Sequence, residues 1–188
     1  MINESGSRKL SENRPLQGAV IMSVFASMWE ILGVSGLIPR VSAPASFCIV
    51  ALAAAVAVTA LTLTIRFGAL PGQRRMRRGA PNSFQVFGQV NIGQTVAVVG
   101  TILILGRLDL WLYVPAAVCL IVALHFLPLA RSFAQPQYWW TGGLLMALAL
   151  VTVLSLAGGM DAANARALLG FGAAGILWAT ALHVARRG

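Results

Sequence analysis

The sequence predicts an all-α integral membrane protein, a bundle of six transmembrane helices with both termini cytoplasmic. Three observations predict it. Six apolar stretches, each near the ~20 residues needed to cross a bilayer, fill most of the 188 residues. Hydrophobic residues make up 58% of the chain and charged residues 10%, where a soluble domain carries about 25% charged residues. Lys and Arg are also distributed unevenly. Arg8, Lys9, Arg14, Arg66, Arg74, Arg75, Arg77, Arg78, Arg131, Arg186 and Arg187 fall on one side of the predicted spans, and Arg40, Arg107 and Arg166 on the other. Positive charge collects on the cytoplasmic side. An even number of spans is what returns both ends of the chain to that side.

The whole chain, 1–188, reads as a single membrane domain, with a cytoplasmic tail over 1–15 and an Arg-rich cytoplasmic loop over 66–83. The formal net charge of +9 is accounted for by this orientation signal, so nucleic acid is not an expected partner. Little of the chain lies outside the spans, which leaves no room for a separate soluble catalytic domain.

The first span, 16–38, is too long for the apolar core of a signal peptide and reads as a retained helix. It holds Glu30, the one acidic residue inside a span. A carboxylate near the bilayer centre costs at least ~2.5 kcal/mol, and such groups face protein or water. Ser23, Ser27 and Glu30 stand at i, i+4 and i+7, hence on one helical face, which is expected to point into the bundle. The plain alternative is a carboxyl group hydrogen-bonded to a neighbouring helix and serving as glue.

The second span, 44–65, is the most uniformly apolar. Cys48 lies near its end and Cys119 near the middle of the fourth span. The mismatch in depth argues against a disulfide, and both read as small hydrophobes. Between the second and third spans the run Arg74, Arg75, Met76, Arg77, Arg78 lies among Pro71, Gly72 and Gly79. This flexible loop is expected to touch anionic lipid headgroups, at roughly 1 kcal/mol per basic residue.

The third span, 84–105, is the most polar. Gln85 and Gln89 share one face; Asn91, Gln94 and Thr95, at i, i+3 and i+4, share another close to mid-membrane. Three such groups exceed what packing needs and predict a polar cavity. Gly93, Ala97 and Gly100, like Ala53 and Ala57 or Gly170 and Ala174, have the small-residue spacing that lets helices approach. They read as packing contacts and leave a homodimer open.

The fourth span, 110–130, carries His125 three residues before Pro128. Proline cannot donate to the carbonyl of Leu124, which leaves an acceptor beside an imidazole able to relay protons. The fifth span, 138–157, opens on Tyr138, Trp139 and Trp140, and the fourth on Trp111 and Tyr113, as interfacial belts do. The sixth span, 163–185, follows Asp161, and the fourth follows Asp109. A carboxylate is favourable at each helix N-terminus. A division of three spans plus three is the plan of an inverted repeat; Trp29–Gly33 and Leu124–Pro128 are its loose counterparts.

Depth along the spans arranges Glu30, Gln94, Asn91 and His125 as a ladder, provided that spans one, three and four are neighbours. The leading expectation is a small transporter or channel-like subunit of the cytoplasmic membrane. It would move protons or a small polar or cationic solute through a cavity centred on Glu30, with Ser27, Asn91, Gln94, Thr95 and His125 along the pathway. The alternatives are a membrane-embedded enzyme on a lipid-like or isoprenoid substrate, with Glu30 as acid or base, and a non-catalytic accessory subunit. The sequence has no phosphate-binding loop, zinc-protease motif or nucleophile elbow. No metal or cofactor is expected, since His125 and His183 make a poor haem pair.

Overall fold

The computed structural model describes residues 14–68, 83–132 and 136–187. Among these there are no strands, and six helices are long and apolar enough to cross a membrane. They are α1 (Arg14–Leu37), α2 (Ala43–Gly68), α3 (Ser83–Arg107), α4 (Val114–Ser132), α5 (Gln137–Ala157) and α6 (Ala162–Arg187). In lipid every backbone N–H and C=O must be satisfied within the segment, so β-branched runs such as those of α2 and α5 become helical regardless of propensity. The Arg-rich run at 74–78 lies outside the described residues.

Prolines and two short turns set the boundaries. Pro39 falls in a 3-10 turn, Ile38–Arg40, that ends α1. Pro44 sits in the first turn of α2, where a missing N–H has no helical partner to lose. The fourth span differs from the expected unbroken helix. Its first residues form a separate 3-10 turn, Trp111–Tyr113, and α4 proper starts at Val114. Asp109 explains the break, and its expected role as an N-terminal carboxylate does not hold. It adopts a left-handed backbone with φ 58°, and Leu110 N–H donates to the Leu105 carbonyl at 2.8 Å. Asp109 therefore closes the C-terminus of α3. Pro128 stays within α4.

Asp161 does act as expected at the start of α6. Its Oδ1 accepts the backbone N–H groups of Ala163 and Asn164, each at 3.0 Å. These bonds to the Asn164 backbone, followed by the nearby Arg40 guanidinium, hold its carboxyl below the usual carboxylate range. Arg40 also donates to Asp161 and to Asn164, which ties the end of α1 to the start of α6.

Helix α6 is the hub. It packs most extensively on α1, and also on α5 and α2; α1 packs on α2, and α5 on α4. The α1–α6 crossing is made of glycine. A Cβ on Gly170 would run into the backbone of Gly33 and lie 2.6 Å from the Trp29 carbonyl oxygen. A Cβ on Gly36 would lie 2.7 Å from the Ala167 nitrogen. Close approach of this kind substitutes dispersion for the hydrophobic effect, which is weak between helices in lipid. Gly142 does the same for α5 against α4, where its Cβ would sit 2.9 Å from the Ala123 carbonyl oxygen. Thr141 and Thr180 join α5 to α6 through a 2.7 Å hydroxyl pair.

Helix α3 stands at the edge. It packs on α4 and on the Trp111–Tyr113 turn, with no comparable contact to α2. The two halves of the chain therefore do not repeat each other's contacts, since α6 lies against α5 where α3 leaves α2.

Candidate functional site

Glu30 is placed by two packing constraints on α1. Gly33, three residues on, is pressed against α6. Ser23, seven residues back and on the same face, donates its hydroxyl to Thr64 Oγ1 of α2 at 3.4 Å. The Ser23–Glu30 face thus points into the bundle, along the seam between α2 and α6. Glu30 is 7% exposed and no hydrogen bond to it is found among the described residues. Ala26 of the same helix, Ala60 of α2, and Ala173 and Ala174 of the facing α6 are buried as well. A carboxyl group acting as glue shows a donor or acceptor on a neighbouring helix, and none is found for this one among the described residues. Ser27 is half-buried and donates to the Ser23 carbonyl at 3.1 Å, a bond internal to α1.

The polar residues of α3 form a second group elsewhere. Asn91 and Gln94 are half-buried, and Thr95 is exposed with its hydroxyl donating to the Asn91 carbonyl at 2.9 Å. His125 of α4 belongs with them. The Val90 backbone of α3 lies beside its ring, Nδ1 is buried without a hydrogen-bond partner, and the ring meets Phe126 edge-on at 6.1 Å. His125 thus bridges α3 and α4.

These two groups are not brought together. The ladder from Glu30 through Gln94 and Asn91 to His125 requires α1 to neighbour α3 and α4, and α1 shares no substantial contact surface with either. Depth along a span is readable from residue spacing; which spans are neighbours is not.

Other candidates fall into place simply. Cys119 is buried against the Leu145 carbonyl at 3.6 Å, while Cys48 is exposed, as two separate small side chains. His183 is exposed. No cluster of metal-ligating side chains exists among the described residues. A cleft of ≈ 40 Å³ lies at the end of the bundle away from the termini, among Trp111, Pro115, Thr152, Leu156, Arg166 and Leu169. It has room for a water molecule and is far below the several hundred Å³ of a small-molecule site.

One residue escaped sequence reasoning. Trp178 of α6 is 7% exposed and its indole Nε1 is buried with no hydrogen-bond partner. The available signal was position: Trp29 and Trp178 lie within spans, whereas Trp111, Trp139 and Trp140 stand near span ends as an interfacial belt does.

Comparison with family models, with curated proteins and with solved structures finds no match to this chain.

Proposed function

We propose that this multi-pass membrane protein moves protons, or a small polar or cationic solute, with Glu30 as its ionisable centre. The proposal places it in the cytoplasmic membrane with both termini inside, on the asymmetry of its basic residues. One observation carries the reading: a carboxyl group within a span, on a residue 7% exposed, with no hydrogen-bond partner among the described residues. Such a group contributes nothing as a helix-to-helix bond, and its retention in an apolar wedge needs another reason. If ionised there it requires a counter-charge, which a proton or a small cation supplies. The pathway is narrowed from the sequence reading to the seam between α1, α2 and α6, with Ser27 beside it. His125 stands apart from that seam, beside Val90 of α3, and Asn91, Gln94 and Thr95 lie on α3.

The test is proton flux into proteoliposomes driven by a potassium diffusion potential, read with a trapped pH dye. Wild type acidifies the lumen faster than protein-free vesicles, and Glu30→Gln, which keeps shape but cannot ionise, falls to the protein-free rate while still eluting as a single species. Equal rates for wild type and Glu30→Gln overturn the assignment of Glu30.

A second reading, an accessory membrane subunit, is favoured by α3. None of its spanning window is buried, against 44% for α1 and α6. Gln89 and Thr95 are exposed on it. A partner subunit covering α3 would account for both.

A further inference from the structure

We infer that Glu30 and Trp178 form one buried polar site, in which the indole N–H donates to a single water molecule that in turn donates to the Glu30 carboxyl. Both residues are 7% exposed; the indole Nε1 is fully enclosed without a partner, and the Glu30 carboxyl, whose oxygens keep some access, has no hydrogen bond among the described residues. A buried donor without a partner is costly, and a carboxyl without one is its chemical complement.

Their placement follows from the α1–α6 register. Gly33 opposes Gly170 and Gly36 opposes Ala167, so the helices run antiparallel and Glu30 is level with Ala173. Trp178 lies five residues further along α6, ~7.5 Å toward the end bearing the termini. Every Cα–Cβ bond tilts toward its own helix N-terminus. Glu30 therefore leans toward the level of Trp178, and Trp178 leans back toward the level of Glu30.

The angular placement agrees. On α6, Gly172 against Leu148 and Thr180 against Thr141 mark the flank that faces α5. Trp178, eight residues beyond Gly170 and about 80° round the helix from it, lies on the opposite flank. Helix α2 packs against both α1 and α6, so it takes the flank of α6 that α5 leaves free. Glu30 shares the α2-facing side of α1 with Ser23. Both residues thus enter the same three-helix wedge.

The chemistry selects the occupant. Indole Nε1–H is a donor only, so what it contacts must accept a hydrogen bond, which excludes a bare cation between the two groups. Water accepts from the indole and keeps two donors. One goes to Glu30, and the Ser27 hydroxyl, one turn below it, is a second acceptor of the kind a buried water uses. The buried residues Ala26 of α1, Ala60 of α2 and Ala174 of α6 are small. The other ionisable side chains described on these helices stand near helix ends: Cys48 and Arg66 on α2, and Asp161, Arg166, His183 and Arg186 on α6. Glu30 is therefore the group whose proton Trp178 reports.

This site deepens the proposed role of Glu30 and takes from it only the consequence, proton movement. The test is the set of indole N–H resonances of the five tryptophans in 15N-labelled full-length protein in lipid nanodiscs, with Trp178→Phe assigning the Trp178 peak. The expected result has three parts. The Trp178 peak shows a magnetisation-transfer cross-peak to water, moves with pH in the wild type, and moves in Glu30→Gln, where it no longer responds to pH. The peaks of Trp111, Trp139 and Trp140 stay in place. A Trp178 peak indifferent both to pH and to Glu30→Gln overturns the site, as does one coupled to Glu30 with no cross-peak to water, which would mean a direct bond. The pH titration uses the wild type alone and needs no variant to fold. Spectral coupling without proton flux sustains the site and removes the transport reading; flux without coupling does the reverse.

Discussion

Helices α1 and α3 are both polar for membrane spans, and the bundle treats them in opposite ways. Helix α1 is pressed backbone to backbone against α6 at Gly33 and Gly170 and holds a carboxyl group with no hydrogen-bond partner among the described residues. Helix α3 carries seven amide and hydroxyl side chains, Ser83, Gln85, Gln89, Asn91, Gln94, Thr95 and Thr101, yet packs chiefly on α4. Cβ atoms on its Gly88, Gly93 and Gly100 would meet nothing within 4 Å. The number of polar groups on a span is thus a poor guide to where it lies. What places a helix at the centre is the close approach that small residues permit, and only there does a single unpaired carboxyl become an anomaly that asks for a function.

The largest expected effect comes from exchanging glycines between the two regions. Gly170→Leu must push apart two backbones and is expected to cost upwards of ~3 kcal/mol, lost as a folded monodisperse species in fluorescence-detected size exclusion. Gly93→Leu on α3 adds a side chain to open space and should leave the melting profile within about 0.5 kcal/mol of wild type. A destabilised Gly93→Leu would mean that α3 is covered by a neighbour, and would break the contrast.

A middle-sized effect is expected within the α1–α6 wedge. Glu30→Leu should cost about 1–2 kcal/mol by leaving the Trp178 N–H and its water unpaired. In a Trp178→Phe background the same change should cost about 1 kcal/mol less. Additivity of the two substitutions in thermal unfolding would show that the residues do not share a site.

The smallest effect concerns the far end of the same helix pair. Asp161 has a carboxyl held below its ordinary range in the folded protein. Its contribution to stability is therefore present above the unfolded carboxylate range and is lost as pH falls through the folded value. The thermal midpoint of wild type should decline on acidification below pH ~4 by more than that of Asp161→Asn, which retains a capping side chain but has no charge to lose. Parallel declines would show that the Arg40–Asp161 pair adds nothing at this exposed position.

The elements were legible in the sequence because a bilayer leaves the backbone few options. The six stretches became six helices, and the cap at Asp161 followed from a carboxylate before a helical run. Asp109 has the same sequence context and did something else, because closing α3 with a left-handed residue took precedence over capping a helix that begins five residues later. Glu30 was legible as a candidate through its cost in lipid, and the inward direction of the Ser23–Glu30 face through its period. The shared cavity with Asn91, Gln94 and His125 was not, nor was Trp178, because an indole within a span resembles any other apolar core residue until its N–H is found unpaired.

The sequence by itself determined how many membrane-length helices the described residues form, where each begins and ends to within a few residues, and which face of α1 is polar. These depend on local rise, period and the transfer cost of side chains, all of which act within a segment. The tertiary structure decided which helices touch: that α6 is the hub, that α1 meets it through Gly33 and Gly170, and that α3 stays at the edge. The reason is that lipid is as apolar as leucine, so hydrophobicity does not choose among neighbours. That choice falls to the fit of small side chains across an interface, a property of two segments together that neither carries alone.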